Sequence, residues 1–172
     1  PDRLYTRDGK INLAPRRYLQ DLDRLVARLQ EPVSDELMLI GRRHVRSNNS
    51  WMHNSQRLVK GKDRCTLMIH PKDASRCGLV AGDSAEITSE AGKIVIPVEI
   101  TEDVMPGVVS IPHGWGHTRE GTRQTVAEAH AGASINDVIR DDQVDLLSGT
   151  SVLNGQSVGV KVWKAERSRK RA

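Results

Sequence analysis

Phenylalanine is absent from this 172-residue chain, and three Trp and two Tyr are its only large aromatics. A packed interior must therefore be aliphatic. Cysteine is also scarce. Two thiols cannot make a disulfide framework, nor a four-cysteine zinc or iron–sulfur site. No apolar run approaches the roughly 20 residues of a membrane-spanning helix, so that class is excluded. Gly and Pro interrupt the chain too regularly for a coiled coil. The length suits one domain able to hide roughly two-thirds of its unfolded surface. The chain opens on Pro1 rather than Met, which reads as a piece of a longer or processed protein whose targeting signals lie out of sight. A cytoplasmic location is the expectation.

Charge is unevenly placed. Residues 42–64 hold seven basic residues and one acidic, a net +6, whereas residues 65–160 hold six basic and thirteen acidic, a net −7. A second basic island ends the chain, with six basic residues and one acidic over 161–172. The tail reads as a solvated, frayed terminus over 164–172.

Residues 1–36 form a lead-in. Pro15 opens a helix whose Leu19, Leu22, Leu25, Val26 and Leu29 recur at helical spacing, and Pro32 stops it. That apolar stripe is expected to be buried on the main body. From residue 37 the texture changes to short strands: Leu37–Ile40, Arg64–Ile69, Ser84–Ser89, Lys93–Ile100, Val108–Ile111 and Ser157–Trp163. A short helix follows Pro71 and closes at Gly78, and Ser134 caps another through Arg140. Six or seven closely spaced strands with strong turn signals predict a small barrel or sandwich over 37–163.

Three stretches carry candidate chemistry. The segment Gly41-Arg-Arg-His-Val-Arg-Ser-Asn-Asn-Ser-Trp51 leaves a strand end dense in groups that bind phosphate, carbonyl and amide functions. Read blandly it is a long polar surface loop. In Pro112-His-Gly-Trp-Gly-His117 an indole sits between two glycines, placed to pack on a ligand or a partner domain. His113 and His117 invite a metal reading with Cys65 and Cys77. The stretch is too Gly-rich for a helix that would align the imidazoles, and the cysteines read as small buried residues. Asn136 lies near the predicted helix start, where it could donate to a ligand. There is no strained nucleophile elbow, Walker loop or Rossmann glycine pattern.

Taken in order, these pieces resemble the C-terminal dinucleotide-binding domain of molybdopterin oxidoreductases, the family of formate dehydrogenases, nitrate reductases and dimethyl sulfoxide reductases. The resemblance covers about residues 37–163. It rests on Leu39-Ile-Gly-Arg42 with its polar loop, Ile69-His-Pro-Lys-Asp-Ala74, Ser89-Glu-Ala-Gly92, Met105-Pro-Gly-Val108, Pro112-His-Gly-Trp115, Ile135-Asn136, and Asp145 with Leu147-Ser-Gly149. It implies a mainly β fold, a double-psi β-barrel of about six to seven strands with short helices and an N-terminal amphipathic helix. It implies contact with molybdopterin guanine dinucleotide through Gly41, Arg42, Arg43, His44, Asn48, Asn49, Ser50, Trp51, His113, Trp115 and Asn136. His53 is not carried over. The molybdenum or tungsten, its ligand and any iron–sulfur cluster would belong to other domains of a parent oxidoreductase, so the chain should bind and not catalyse alone. The isolated domain is expected to be a monomer. A nucleic-acid-binding module and a free-standing double-psi barrel are the alternatives, and the few aromatics and acidic body argue against nucleic acid.

Overall fold

The computed structural model describes residues 3–32 and 34–164. They fall within two compact units, Pro1–Ser34 with Val144–Thr150 and Asp35–Gln143 with Ser151–Ala172. The basic tail beyond Lys164 lies outside the described residues.

In the first unit, helix α1 spans Arg16–Leu29 behind Pro15, whose extended backbone (ψ 133°) sets the entry. Arg24 pairs with Asp21 one turn earlier at 2.6 Å. The predicted apolar stripe forms along the helix through Leu19, Leu22, Leu25, Val26 and Leu29. Residues 144–150 make a turn held by Asp145, whose carboxylate accepts from the Ser148 amide at 2.7 Å and hydroxyl at 2.8 Å. Those two bonds hold the Asp145 carboxyl below the usual carboxylate range.

The second unit is a closed six-stranded barrel. Strands β1 (Leu37–Arg42), β2 (Leu67–Ile69), β3 (Ser84–Thr88), β4 (Lys93–Ile100), β5 (Val108–Pro112) and β6 (Gln156–Val162) run around it in the order β1-β5-β2-β4-β3-β6. Two parallel pairs, β1/β5 and β2/β4, are joined through the antiparallel β2/β5 contact, the crossed arrangement of a double-psi barrel. The interior is aliphatic, as the missing phenylalanine requires. Leu39, Leu67, Ile69, Ile87, Ile96, Val109, Ile111 and Val158 are all at most 1% exposed. Alternation on β4 puts Ile94 and Ile96 inside and Lys93 and Val95 outside.

Short helices decorate the strands: α2 (Gln56–Val59), α3 (Pro71–Arg76), α4 (Thr125–Ala129) and a 3₁₀ turn at Ile135–Asp137. The Ile69–Ala74 motif explains itself in α3. The His70 ring caps the helix by accepting from the Lys72 amide at 3.2 Å, and Pro71 takes the first turn, where its missing N–H costs nothing. Buried Asp73 accepts from the Gly107 amide at 2.7 Å, tying the helix to the turn before β5.

Two predicted elements are shorter than expected. The second strand starts at Leu67 instead of Arg64, because the Cys65 amide is taken by the Asp63 carboxylate at 3.0 Å and the Thr66 carbonyl by Arg42 at 2.7 Å. The helix expected from Ser134 to Arg140 is one 3₁₀ turn. Ser134 makes no side-chain cap, and the Arg140 amide turns to the Gln156 side chain at 2.9 Å.

Candidate functional site

The polar loop does not start where β1 was expected to end. Gly41 and Arg42 are still in the strand. The Gly41 amide donates to Asn154 Oδ1 at 2.6 Å. Arg42 turns inward and donates to the Ser110 carbonyl at 2.5 Å, the Thr66 carbonyl at 2.7 Å and Thr66 Oγ1 at 2.9 Å. Burial pulls its guanidinium below its ordinary value, with Glu99 opposing. Its hydrogen bonds go to the barrel.

Beyond Arg42 the chain folds on itself. The His44 carbonyl accepts from the Ser47 and Asn48 amides at 3.0 and 3.2 Å, and the Ser47 carbonyl accepts from the Met52 amide at 3.1 Å. The tip needs left-handed backbone at Asn48 (φ 41°) and Asn49 (φ 63°), which asparagine tolerates better than most residues. With the backbone satisfied internally, Arg43, Asn48, Asn49, Ser50 and Trp51 face outward, Trp51 81% exposed. His44 is half-buried at the base, and burial and neighbouring arginines push its pKa down. No carboxylate occurs from Arg42 to Lys62.

The turn after β5 is seated against this loop. Asn49 Oδ1 meets His113 Nε2 at 2.8 Å, and the His113 amide donates to the Arg42 carbonyl at 3.2 Å. Gly114 (φ +86°) lies so close that a Cβ there would stand 2.6 Å from the Asn49 carbonyl carbon. Gly116 and Gly132 are equally constrained, against Ser134 and Cys65.

Beneath the loop, Trp115 and His117 of the Gly-rich turn meet His53, a buried residue that the sequence did not mark as core. His53, 1% exposed, stacks on Trp115 with ring centroids 4.0 Å apart and meets His117 edge-on. The two imidazoles share one hydrogen bond, Nδ1 to Nε2 at 2.7 Å, so one ring donates and the other accepts. Burial drives the His53 pKa down to about 4, helped by His117 and Arg64 and opposed by the Gly114 peptide; burial also lowers His117.

The structure thus brings Arg43, His44, Asn48, Asn49, Ser50, Trp51 and His113 to one loop–turn surface, with Gly41 and Arg42 as its footing and Trp115 buried beneath it. Asn136 stands apart. It borders an open cleft of about 1030 Å³ with Glu90, Lys93, Asp137, Arg140 and Asp142. Arg140 bridges Glu90 and Asp142 there, and those carboxylates hold its pKa up. His113 and His117 reach different partners, and among the described residues no group of three or more His, Cys, Asp or Glu is placed to hold a metal ion. Gly155-Gln-Ser-Val-Gly159 spells the letters of a nucleophile elbow. It lies at the start of antiparallel β6, where Ser157 Oγ is 3.6 Å from Met38 Sδ.

Residues 37–156 match the molybdopterin dinucleotide binding domain. The chain belongs to that family. It is 32% identical over 124 residues to the molybdopterin-containing subunit of the arsenate respiratory reductase of Chrysiogenes arsenatis, covering 69% of this chain and 14% of that protein. It is 30% identical over 116 residues to a subunit of the tetrathionate reductase of Salmonella typhimurium, covering 58% of this chain and 11% of that one. The fold matches acetylene hydratase from Pelobacter acetylenicus with a TM-score of 0.62 at 23% identity, over 84% of this chain and 20% of that one. The chain therefore spans about a seventh or less of these two reductase proteins and a fifth of the hydratase. Among the described residues no helix is long and apolar enough to cross a membrane.

Proposed function

We propose that this family domain works as one part of a larger molybdopterin oxidoreductase, where it binds molybdopterin guanine dinucleotide across the loop–turn surface. The supporting observation is the apposition of two segments 64 residues apart, Asn49 against His113, beneath a loop free of carboxylates. The donor set fits the group. Arg43 is exposed and has no partner among the described residues, which suits a diphosphate oxygen. Asn48, Asn49 and Ser50 offer hydrogen-bond edges, and Trp51 offers a flat face. Gly41 and Arg42 set the take-off of the loop, His44 closes its base, and Trp115 supports it from below. Asn136 borders the separate open cleft and is left out of this surface, although its neighbour Ile135 packs 3.7 Å from the Cβ position of Gly41. When bound, the cofactor supplies the molybdenum or tungsten at which two electrons are exchanged; this chain's share is binding and orientation.

Two measurements test the reading. Titrating the chain with GDP should shift the amides of Gly41–Trp51, with the effect weakening in salt. The longer protein, made in cells competent for cofactor synthesis, should contain pterin and metal. Finding neither would reject the proposal.

A further inference from the structure

The polar loop is joined to the turn after β5 at two points. Near its tip, His113 Nε2 meets Asn49 Oδ1 at 2.8 Å. At its far end, His53 Nδ1 meets His117 Nε2 at 2.7 Å, and the His53 ring stacks on Trp115 at 4.0 Å. Ser50, Trp51 and Met52 lie between these clamps in the chain. Both clamps therefore fix the stretch assigned above to the ligand.

The clamps answer acid differently. Asn49 Oδ1 only accepts, and an imidazolium at His113 still donates to it. The His53–His117 bond needs one ring to accept. It survives one added proton at most, since two charged rings offer no acceptor and repel each other. His53 is 1% exposed, and its Nε2 has no hydrogen-bond partner among the described residues, so a charge there is poorly solvated. Burial is the chief cost of charging this ring, His117 and Arg64 add to it, and the Gly114 peptide opposes them. Helix α4, capped by Asn54 of the same arm, brings Glu128 and His130, both exposed. Released from the turn, both rings regain water and their ordinary affinity for protons.

We propose that His53 and His117 are positioning residues of the dinucleotide surface: their shared hydrogen bond seats the Ser50–His53 arm on the turn, and acid unseats it. Only the consequence for binding rests on the ligand reading of the loop. The sign follows from burial. Seated, His53 has a pKa of about 4 against an ordinary 6.5, so the seat is complete above about 6.5 and weakens as pH falls toward 4.

The test is a titration of the whole ¹⁵N-labelled chain from about pH 7.5 to 5, first without ligand and then with GDP. Without ligand, the amides of Ser50–His53 and Gly114–His117 should shift in one transition shared with the His53 and His117 ring signals. His53→Gln should abolish it. Should that variant fail to fold, His117→Gln, at a half-buried site, carries the same expectation. His130→Gln, at an exposed site outside the surface, should leave the transition in place. GDP also loses charge in acid through its own terminal phosphate, equally for parent and variant. The parent should therefore lose about fivefold more affinity than His53→Gln, the scale of one hydrogen bond. Shifts without a shared transition, a transition kept in a folded variant, or equal GDP losses in parent and variant would overturn the role. Should GDP bind at neither pH, the ligand reading fails, and the ligand-free transition still decides the seat.

Discussion

His53 and His117 share a single hydrogen bond of 2.7 Å in the floor beneath the polar loop. Protonating the accepting ring removes the acceptor that the pair needs, and charging His53 places a cation against Trp115 in the interior. A histidine with a folded pKa near 4, against an ordinary 6.5, binds fewer protons folded than unfolded between those values. Stability is then fully present above the ordinary pKa and is lost as pH falls toward the folded one. From about pH 7.5 to 5 the loss assigned to His53 is roughly 2 kcal/mol. His117, lowered in the same direction, adds to it. Urea unfolding across that range should show this slope, and His53→Gln should flatten it. An unchanged slope in the variant would remove His53 as the cause.

Gly114→Ala tests whether the turn and the loop are one unit. The substitution needs left-handed backbone (φ +86°) and drives a methyl group into the Asn49 peptide. Strain and overpacking together predict a loss of about 2–4 kcal/mol. The ligand readout should suffer as well, because Asn49 and His113 would be pushed apart. GDP shifts at Asn48–Trp51 that survive unchanged would show the loop to be independent of the turn.

Arg42 separates scaffold from contact. It is the first arginine of the basic segment and was assigned to the cofactor by resemblance, yet its guanidinium bonds the Ser110 and Thr66 carbonyls. Arg42→Met leaves those carbonyls unpaired inside the barrel, and thermal or urea unfolding should register a loss of about 2–4 kcal/mol. Lysine should not restore it, because one ammonium cannot reproduce the planar fork. A variant as stable as the parent would return Arg42 to the ligand side.

These cases show where the sequence is readable. The strands were legible because alternation is local: Lys93–Ile100 forms over the predicted residues. The loop was legible because its composition is dense and its charge one-sided. The His53 floor was not, because burial is a property of the folded whole and nothing near Met52-His-Asn54 marks a core residue. Helix α4 was missed for a similar reason. Its first amides, Val126 and Ala127, are capped by Asn54 Oδ1 at 3.1 and 3.2 Å, from more than seventy residues away. The inward turn of Arg42 was hidden because its acceptors lie on other strands.

Arg43 and Arg46 decide how much of the binding is electrostatic. Arg46 Nη2 donates to the Arg57 carbonyl at 3.1 Å, which holds it along the loop, whereas Arg43 is exposed with no partner among the described residues. A diphosphate drawn to this surface should lean on Arg43 more than on Arg46. Arg43→Ala should weaken GDP about five- to tenfold at low salt, the scale of one charge-assisted hydrogen bond. Its dependence on salt should also flatten, because screening acts on the charge that was removed. Arg46→Ala should cost less affinity and should loosen the loop near α2. Arg123→Ala, at an exposed site outside the loop, removes the same net charge and should change neither quantity. Equal losses at Arg43 and Arg123 would mean that net charge attracts the nucleotide, and that the loop holds no built diphosphate site.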